Sequence, residues 1–150
     1  MDKEVFFSSK KQDWCTPIDF FKRLDDEFHF SLDPAATQKT AKCNKYYTPE
    51  TDGLKASWAG ETVFCNPPYG RDISNWVRKG YEEGQKPNTT VVMLLPARTD
   101  TTYFHQYILN GKAQDVRFLK GRLRFTDEDG SFKDAAPFPS VIVVWKGISD

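Results

Sequence analysis

The apolar run Thr62-Val63-Phe64-Cys65 stops at Asn66-Pro67-Pro68-Tyr69-Gly70, and this junction restricts the fold more than any other stretch of the chain. Proline has no N–H and a fixed φ, so two in succession cannot continue a sheet ladder. The chain must therefore leave a buried strand abruptly at Asn66. A second apolar run, Val91-Val92-Met93-Leu94-Leu95, shows no alternation and ends at Pro96. That is the pattern of a central parallel strand covered by helices on both faces.

Helical periodicity separates these strands. Thr16-Pro17-Ile18-Asp19 reads as a helix start, with Thr16 as cap, Pro17 in the first turn and Asp19 at the positive end. Phe21, Leu24 and Phe28 then recur on one face, and the helix is expected to reach about residue 27. Ile73, Trp76, Val77, Gly80 and Tyr81 make a second apolar face, opened by Asp72 and closed by Gly84 and Pro87. A third helix carries Phe104, Tyr107 and Ile108, starts at Asp100 or Thr101, and leaves at Asn110-Gly111. Phe28, Phe30 and Leu32 alternate with polar residues, which predicts a short strand ending at Asp33-Pro34-Ala35-Ala36. Two further strands are expected near residues 116–119 and 141–145, and residues 121–139 form an excursion from the sheet.

The pattern predicts an α/β fold of three layers, in which ligands bind at the carboxyl ends of strands. Asp33, Asn66 and Pro96 all lie just past such ends. A chain of 150 residues with 39% apolar content suits one domain, expected over 14–150 after a tail at 1–13. No apolar run approaches a membrane span and no signal peptide is evident, which predicts a cytoplasmic protein. Cys15, Cys43 and Cys65 are odd in number and far apart, as expected of reduced thiols. No metal site is predicted, because no C-x-x-C or H-x-x-x-H spacing occurs.

The residue types at 66–69 match one chemical task, which is to hold a planar NH2 group while its nitrogen attacks a methyl sulfonium. An exocyclic amine is a poor nucleophile because its lone pair is delocalised into the ring. Two acceptors aimed at its hydrogens favour a pyramidal nitrogen and stabilise the charge that develops there. The Asn66 side-chain oxygen and the Pro67 carbonyl are the candidate acceptors. Pro67 and Pro68 stiffen the loop, and Tyr69 offers a ring on which a flipped base can stack. A tight turn is the plain alternative for these residues. Asp33 reads equally well as a cofactor contact or as a loop carboxylate, with Ala35 and Ala36 permitting close backbone approach. Asp52 is explained by an Asp-Gly turn without any ligand.

The formal charge is zero, so any nucleic-acid contact has to come from a local patch. Arg117, Lys120, Arg122 and Arg124 cluster in sequence, and Arg98 follows the strand that ends at Pro96. Alternation in Arg122-Leu123-Arg124-Phe125 puts both arginines on one side if the segment is extended. Arg98, Lys120, Arg122 and Arg124 are the candidate DNA contacts, with a solvated strand face as the alternative.

Seven motifs in one order extend the reading: W-C-T-P at 14–17, L-D-P-A-A at 32–36, A-K-C at 41–43, C-N-P-P-Y at 65–69, L-L-P-A-R-T-D-T at 94–101, G-R-L-R-F at 121–125 and A-P-F-P-S at 136–140. Together they resemble the phage-type Dam DNA adenine-N6 methyltransferases. The resemblance implies a single-domain, Rossmann-like class I methyltransferase sheet, mostly parallel with an antiparallel C-terminal strand. It implies S-adenosylmethionine as cofactor and double-stranded DNA as partner. Thr16 and Pro17 then border the methionine end of the cofactor, Asp33 and Ala35 sit under it, and Asp52 and Leu54 lie near its adenine. Residues Asn66, Pro67, Pro68 and Tyr69 hold the target base. The sequence departs from many class I enzymes in having no glycine after Asp33, and the stretch between Ala36 and Trp58 is short enough that the second and third strands are expected reduced or missing. The alternatives are a glutamine-amide or RNA methyltransferase using the same loop, or a non-catalytic nucleic-acid-binding module on the same fold.

Overall fold

The computed structural model describes residues 14–149, and the expected tail at 1–13 lies outside the described residues. Helix α1 (Ile18–Phe28) buries Phe21 and Leu24. Its cap position is Pro17, in extended backbone, with no side-chain cap bond, so Thr16 is not the cap that the sequence suggests. The helix stops because His29 adopts a left-handed conformation, φ 60, and bonds back to the Asp25 carbonyl. The Asp25 side chain also takes the Phe30 N–H at 2.8 Å. This double tie bends the chain out of the expected strand. What remains of that strand is a pair of parallel bridges, Leu32 to Val63 and Asp33 to Tyr46.

The sheet has four strands in the order β1-β2-β4-β3: β1 (Thr62–Cys65), β2 (Thr90–Pro96), β3 (Asp115–Phe118) and β4 (Ser140–Lys146). β1 pairs with β2 in parallel. β4 lies between β2 and β3 and is antiparallel to both. Three strands therefore share one direction and the C-terminal strand opposes them. Because β4 is interposed, β1–β2 is the one parallel pairing among these four strands, and the sheet is mixed rather than mostly parallel in its pairings.

Alternation across the sheet divides the core into two layers. Val63, Cys65, Val91, Met93, Leu95, Val141, Val143 and Trp145 face helices α2 (Ile73–Glu83) and α3 (Thr102–Tyr107). Phe64, Val92, Leu94, Ile142 and Val144 face α1 and the 119–139 segment. Both faces of β2 are covered, which accounts for its unbroken apolar run. Each such buried side chain contributes roughly 1.5–3 kcal/mol of transfer free energy, so this two-sided core dominates the isolated surface ion pairs. Gly84 lets the end of α2 lie directly on the sheet, since a Cβ there would sit 2.4 Å from the Cβ of Trp145. The exit at Asn110-Gly111 is left-handed at both residues, φ 60 and 81, as its sequence demands. Among the described residues no helix is long and apolar enough to cross a membrane.

Candidate active site

Asn66 follows the last residue of β1, where the prolines turn the chain off the sheet. Its side-chain NH2 donates to the Trp14 carbonyl at 2.6 Å and to the Thr16 hydroxyl oxygen at 3.0 Å. A carbonyl can only accept, so the Trp14 contact fixes which way round the amide lies. The Asn66 Oδ1 then points away from both partners and, among the described residues, is buried without a hydrogen-bond partner. A buried acceptor left unpaired costs about 1–3 kcal/mol. It is the type of atom that a bound donor completes.

Beside it opens a cleft of about 640 Å³, within the range of small-molecule sites. Thr16, Asn66 and Pro68 line one side. Asp33, Ala35, Asp52 and Leu54 line it as well, so residues widely separated in sequence converge. Pro17, Pro67 and Tyr69 do not line it. Sequence reasoning missed Trp14, Thr40, Lys42, Trp76 and Glu128, which do. Trp14 belongs to the W-C-T-P motif at 14–17, and Lys42 is, with Lys39 and Lys45, the second basic group the sequence offers for DNA. Glu128 belongs to the acidic turn of the 121–139 excursion and reaches the cleft because Thr126 bridges Cys15, a long-range pairing with no local signal.

Asp33 is 4% exposed. One carboxylate oxygen takes the Ala35 N–H at 3.3 Å and the other the Lys42 N–H at 3.0 Å. The side chain thus clips the loop that forms one wall of the cleft. Burial pushes its pKa up to about 6, against the pull of those two backbone donors. The adjoining 48–54 loop, which also lines the cleft, is tied by reciprocal bonds between Thr48 and Thr51. Asp52 is left-handed, φ 57, and its carboxylate accepts the Leu54 N–H at 3.2 Å. A Cβ on Gly53 would lie 2.0 Å from the Pro34 carbonyl oxygen. The loop after Asp33 has no glycine of its own. The close packing there is permitted by Gly53 from the facing loop.

Tyr69 departs from the expected open stacking platform. Its hydroxyl donates to the Leu94 carbonyl at 2.8 Å, and its ring meets Phe125 and Phe138 edge-on, at centroid distances of 6.2 and 5.7 Å. Trp14 packs against the same two phenylalanines from 5.6 and 5.4 Å. Burial raises the Tyr69 phenol well above its ordinary range, so it stays protonated. Cys43 and Cys65 are free thiols, and burial raises Cys43 to about 12.

The basic cluster divides. Arg117 is spent on structure: its guanidinium grips both oxygens of Glu27 at 2.7 Å and reaches Asp115 at 2.7 Å. Lys39 pairs with Asp129, and Lys45 with Glu61. Arg98, Lys120, Arg122 and Arg124 are exposed, and among the described residues no carboxylate forms an ion pair with them. Arg122 and Arg124 donate to the carbonyls of Ala136 at 3.4 Å and Lys133 at 2.7 Å. Leu123 is half-buried and Phe125 buried, so the alternation expected at 122–125 holds.

The comparisons with known proteins agree on one family. The model described as DNA N-6-adenine-methyltransferase (Dam) matches residues 5–150. A DNA N-6-adenine-methyltransferase of Haemophilus phage HP1 (strain HP1c1) is 30% identical over 149 residues, covering 97% of this chain and 85% of that protein. A DNA N-6-adenine-methyltransferase of Escherichia phage T1 is 37% identical over 121 residues, covering 79% of this chain and 48% of that protein. With the family matched along nearly its whole length, the chain belongs to the Dam family of DNA N-6-adenine-methyltransferases.

Proposed function

We propose that the protein transfers a methyl group from S-adenosylmethionine to N6 of an adenine extruded from double-stranded DNA, acting in the cytoplasm of the host cell. Family membership supports the reaction class. The observation that carries the site assignment is the Asn66 Oδ1, a buried acceptor without a partner at the end of a strand beside the cleft. The common direction of β1, β2 and β3, with the opposed C-terminal strand, supports reading the sheet as a Rossmann-like class I methyltransferase fold.

When bound, S-adenosylmethionine supplies an electrophilic methyl group on a positively charged sulfur. Asp33, Ala35, Asp52 and Leu54 would hold it along the cleft, with Pro17 fixing the start of α1 behind it. The cleft offers both polar walls and apolar surface from Leu54 and Trp76, which fits an amino acid joined to a nucleoside. Asn66 Oδ1 and the Pro67 carbonyl accept the two hydrogens of the adenine amine and draw its nitrogen towards a pyramidal, nucleophilic geometry. The benefit is greatest in the transition state, where the nitrogen gains positive charge. No general base is required, because the methylated ammonium is strongly acidic and releases its proton to water. Tyr69 borders the base through the aromatic cluster it forms with Phe125 and Phe138. Arg98, Lys120, Arg122 and Arg124 neutralise phosphates on the rim.

The test is to incubate the protein with unmethylated duplex DNA and S-adenosylmethionine and to analyse the nucleosides by mass spectrometry. N6-methyldeoxyadenosine is the expected product. N4-methyldeoxycytidine, or no methylated nucleoside, would overturn the assignment.

A further inference from the structure

We infer that Thr16 is a positioning residue for Asn66, acting through its hydroxyl oxygen rather than through the cofactor it is expected to border. This inference deepens the proposed function and rests on the role given there to Asn66 Oδ1. Thr16 is 4% exposed, and the cap position of α1 falls on Pro17, with no side-chain cap bond. The Thr16 hydroxyl oxygen instead accepts one hydrogen of the Asn66 NH2 at 3.0 Å, while the Trp14 carbonyl accepts from the same nitrogen at 2.6 Å. Together these two acceptors can take both NH2 hydrogens, so the amide plane is fixed and Oδ1 is held in one direction.

The segment that carries the two acceptors is itself anchored. Cys15 exchanges a pair of backbone bonds with Thr126, at 3.0 and 2.9 Å. On the other side, the Pro17 carbonyl receives the Phe21 N–H at 3.0 Å and joins the segment to α1. Thr16 Oγ1 is therefore a fixed reference point, and Asn66, on a loop stiffened by two prolines, is aligned against it. With Trp14 as sole partner the amide could tilt about its Cβ–Cγ bond, and Oδ1 would lose its single direction. A neutral hydrogen bond is worth about 0.5–1.5 kcal/mol; its loss from the aligned state corresponds to a fall in rate of up to about tenfold.

The experiment uses T16V, which keeps the shape and removes the hydroxyl, and T16S, which restores it. In single-turnover methylation of duplex DNA, T16V is expected to be about tenfold slower than wild type, with T16S near wild type and with cofactor Kd by calorimetry unchanged. In an Asn66→Ala background, T16V should cause no further loss, because its effect passes through Asn66. Side-chain amide exchange of Asn66, followed by NMR without cofactor or DNA, should be faster in T16V and normal in T16S. A T16V that lowers cofactor affinity but not the rate, or slows the Asn66→Ala enzyme equally, would overturn the inference, as would unaltered Asn66 amide exchange. Absence of methylation by the wild type would strike at the proposed function instead, and the amide exchange would still decide the role of Thr16.

Discussion

The hydroxyl of Tyr69 donates a 2.8 Å hydrogen bond to the backbone carbonyl of Leu94, one residue past the last paired position of β1 and β2, Cys65 with Met93. Pro67 and Pro68 have no N–H to offer at this end of the sheet, and the phenol supplies a donor. The loop after β1 is in this way fastened to the central strand. Tyr69→Phe keeps the ring but leaves the carbonyl without that donor, so a loss of about 1–3 kcal/mol is expected. Sequence reasoning, which values only the ring for stacking, expects the substitution to be tolerated. Urea denaturation of the variant separates the two, and a midpoint equal to wild type would return Tyr69 to a purely stacking role.

Asn66→Ala removes the acceptor and also frees the Trp14 carbonyl and Thr16 hydroxyl. Because the acceptor acts mainly in the transition state, the rate should fall by ~10²–10³ while calorimetry shows cofactor binding little changed. Methylation at the wild-type rate would show that the loop does not perform the chemistry.

Asp33 gives a pH signature of definite sign. Its folded pKa of about 6 stands above the ordinary 3.8, so between those values the folded state binds more protons than the unfolded one. Its contribution to stability is fully present below the unfolded pKa and is lost as pH rises through about 6, by at most about 3 kcal/mol. Other carboxylates titrate nearby, and Glu27, Glu61 and Glu83 are shifted the opposite way. The useful measurement is therefore the difference between wild type and Asp33→Asn. The stability of wild type relative to the variant should decline from pH 4 to pH 6 and then level off; a flat difference would mean that the carboxylate is not desolvated.

The elements with strong periodicity were legible in the sequence: α2 opens at Asp72 and closes at Gly84, and β2 ends at Pro96, because burial on both faces or on one stripe writes itself into residue order. The strand expected at 28–32 was not, since its alternation is outweighed by the left-handed turn at His29 and the Asp25 side-chain tie. The abrupt exit from β1 at Asn66 was legible because two consecutive prolines cannot continue a sheet ladder. The contacts of Asn66 with Trp14 and Thr16 were not, because a carbonyl 52 residues away and a hydroxyl 50 residues away carry no local pattern. Charge was the least legible property. Arg117 and Arg122 look alike in sequence, and only the fold shows that one is held by Glu27 and Asp115.

Gly53 should be intolerant of substitution for a reason unconnected with a turn. In Gly53→Ala the new Cβ would collide with the Pro34 carbonyl, and backbone rather than a flexible side chain has to move. The walls of the cleft separate, so the KM for cofactor should rise while kcat at saturation is largely kept, with roughly 1–3 kcal/mol of stability lost. Unchanged cofactor KM would mean that these two loops do not form the cofactor site.

The division among the basic residues predicts which of them touch DNA. Arg122 and Arg124 are exposed and, among the described residues, hydrogen-bond only to carbonyls, so each keeps a full positive charge to offer a phosphate. Arg117 is neutralised by two carboxylates, and its guanidinium is already occupied on three nitrogens. Arg124 also lies over the Phe132 ring, 5.1 Å from its centroid, which holds the guanidinium without consuming its charge. Replacing Arg122 and Arg124 together by alanine should weaken binding to duplex DNA and, at one phosphate each, reduce the slope of log affinity against log salt by about two units. Cofactor affinity should stay as it is. Arg117→Gln serves as the control: it should lower the melting temperature through loss of the Glu27 and Asp115 contacts, yet leave the salt slope intact. A double variant with wild-type salt dependence, or an Arg117 variant with a reduced slope, would place the DNA-binding face elsewhere on the rim, with Arg98 and Lys120 the next residues to replace.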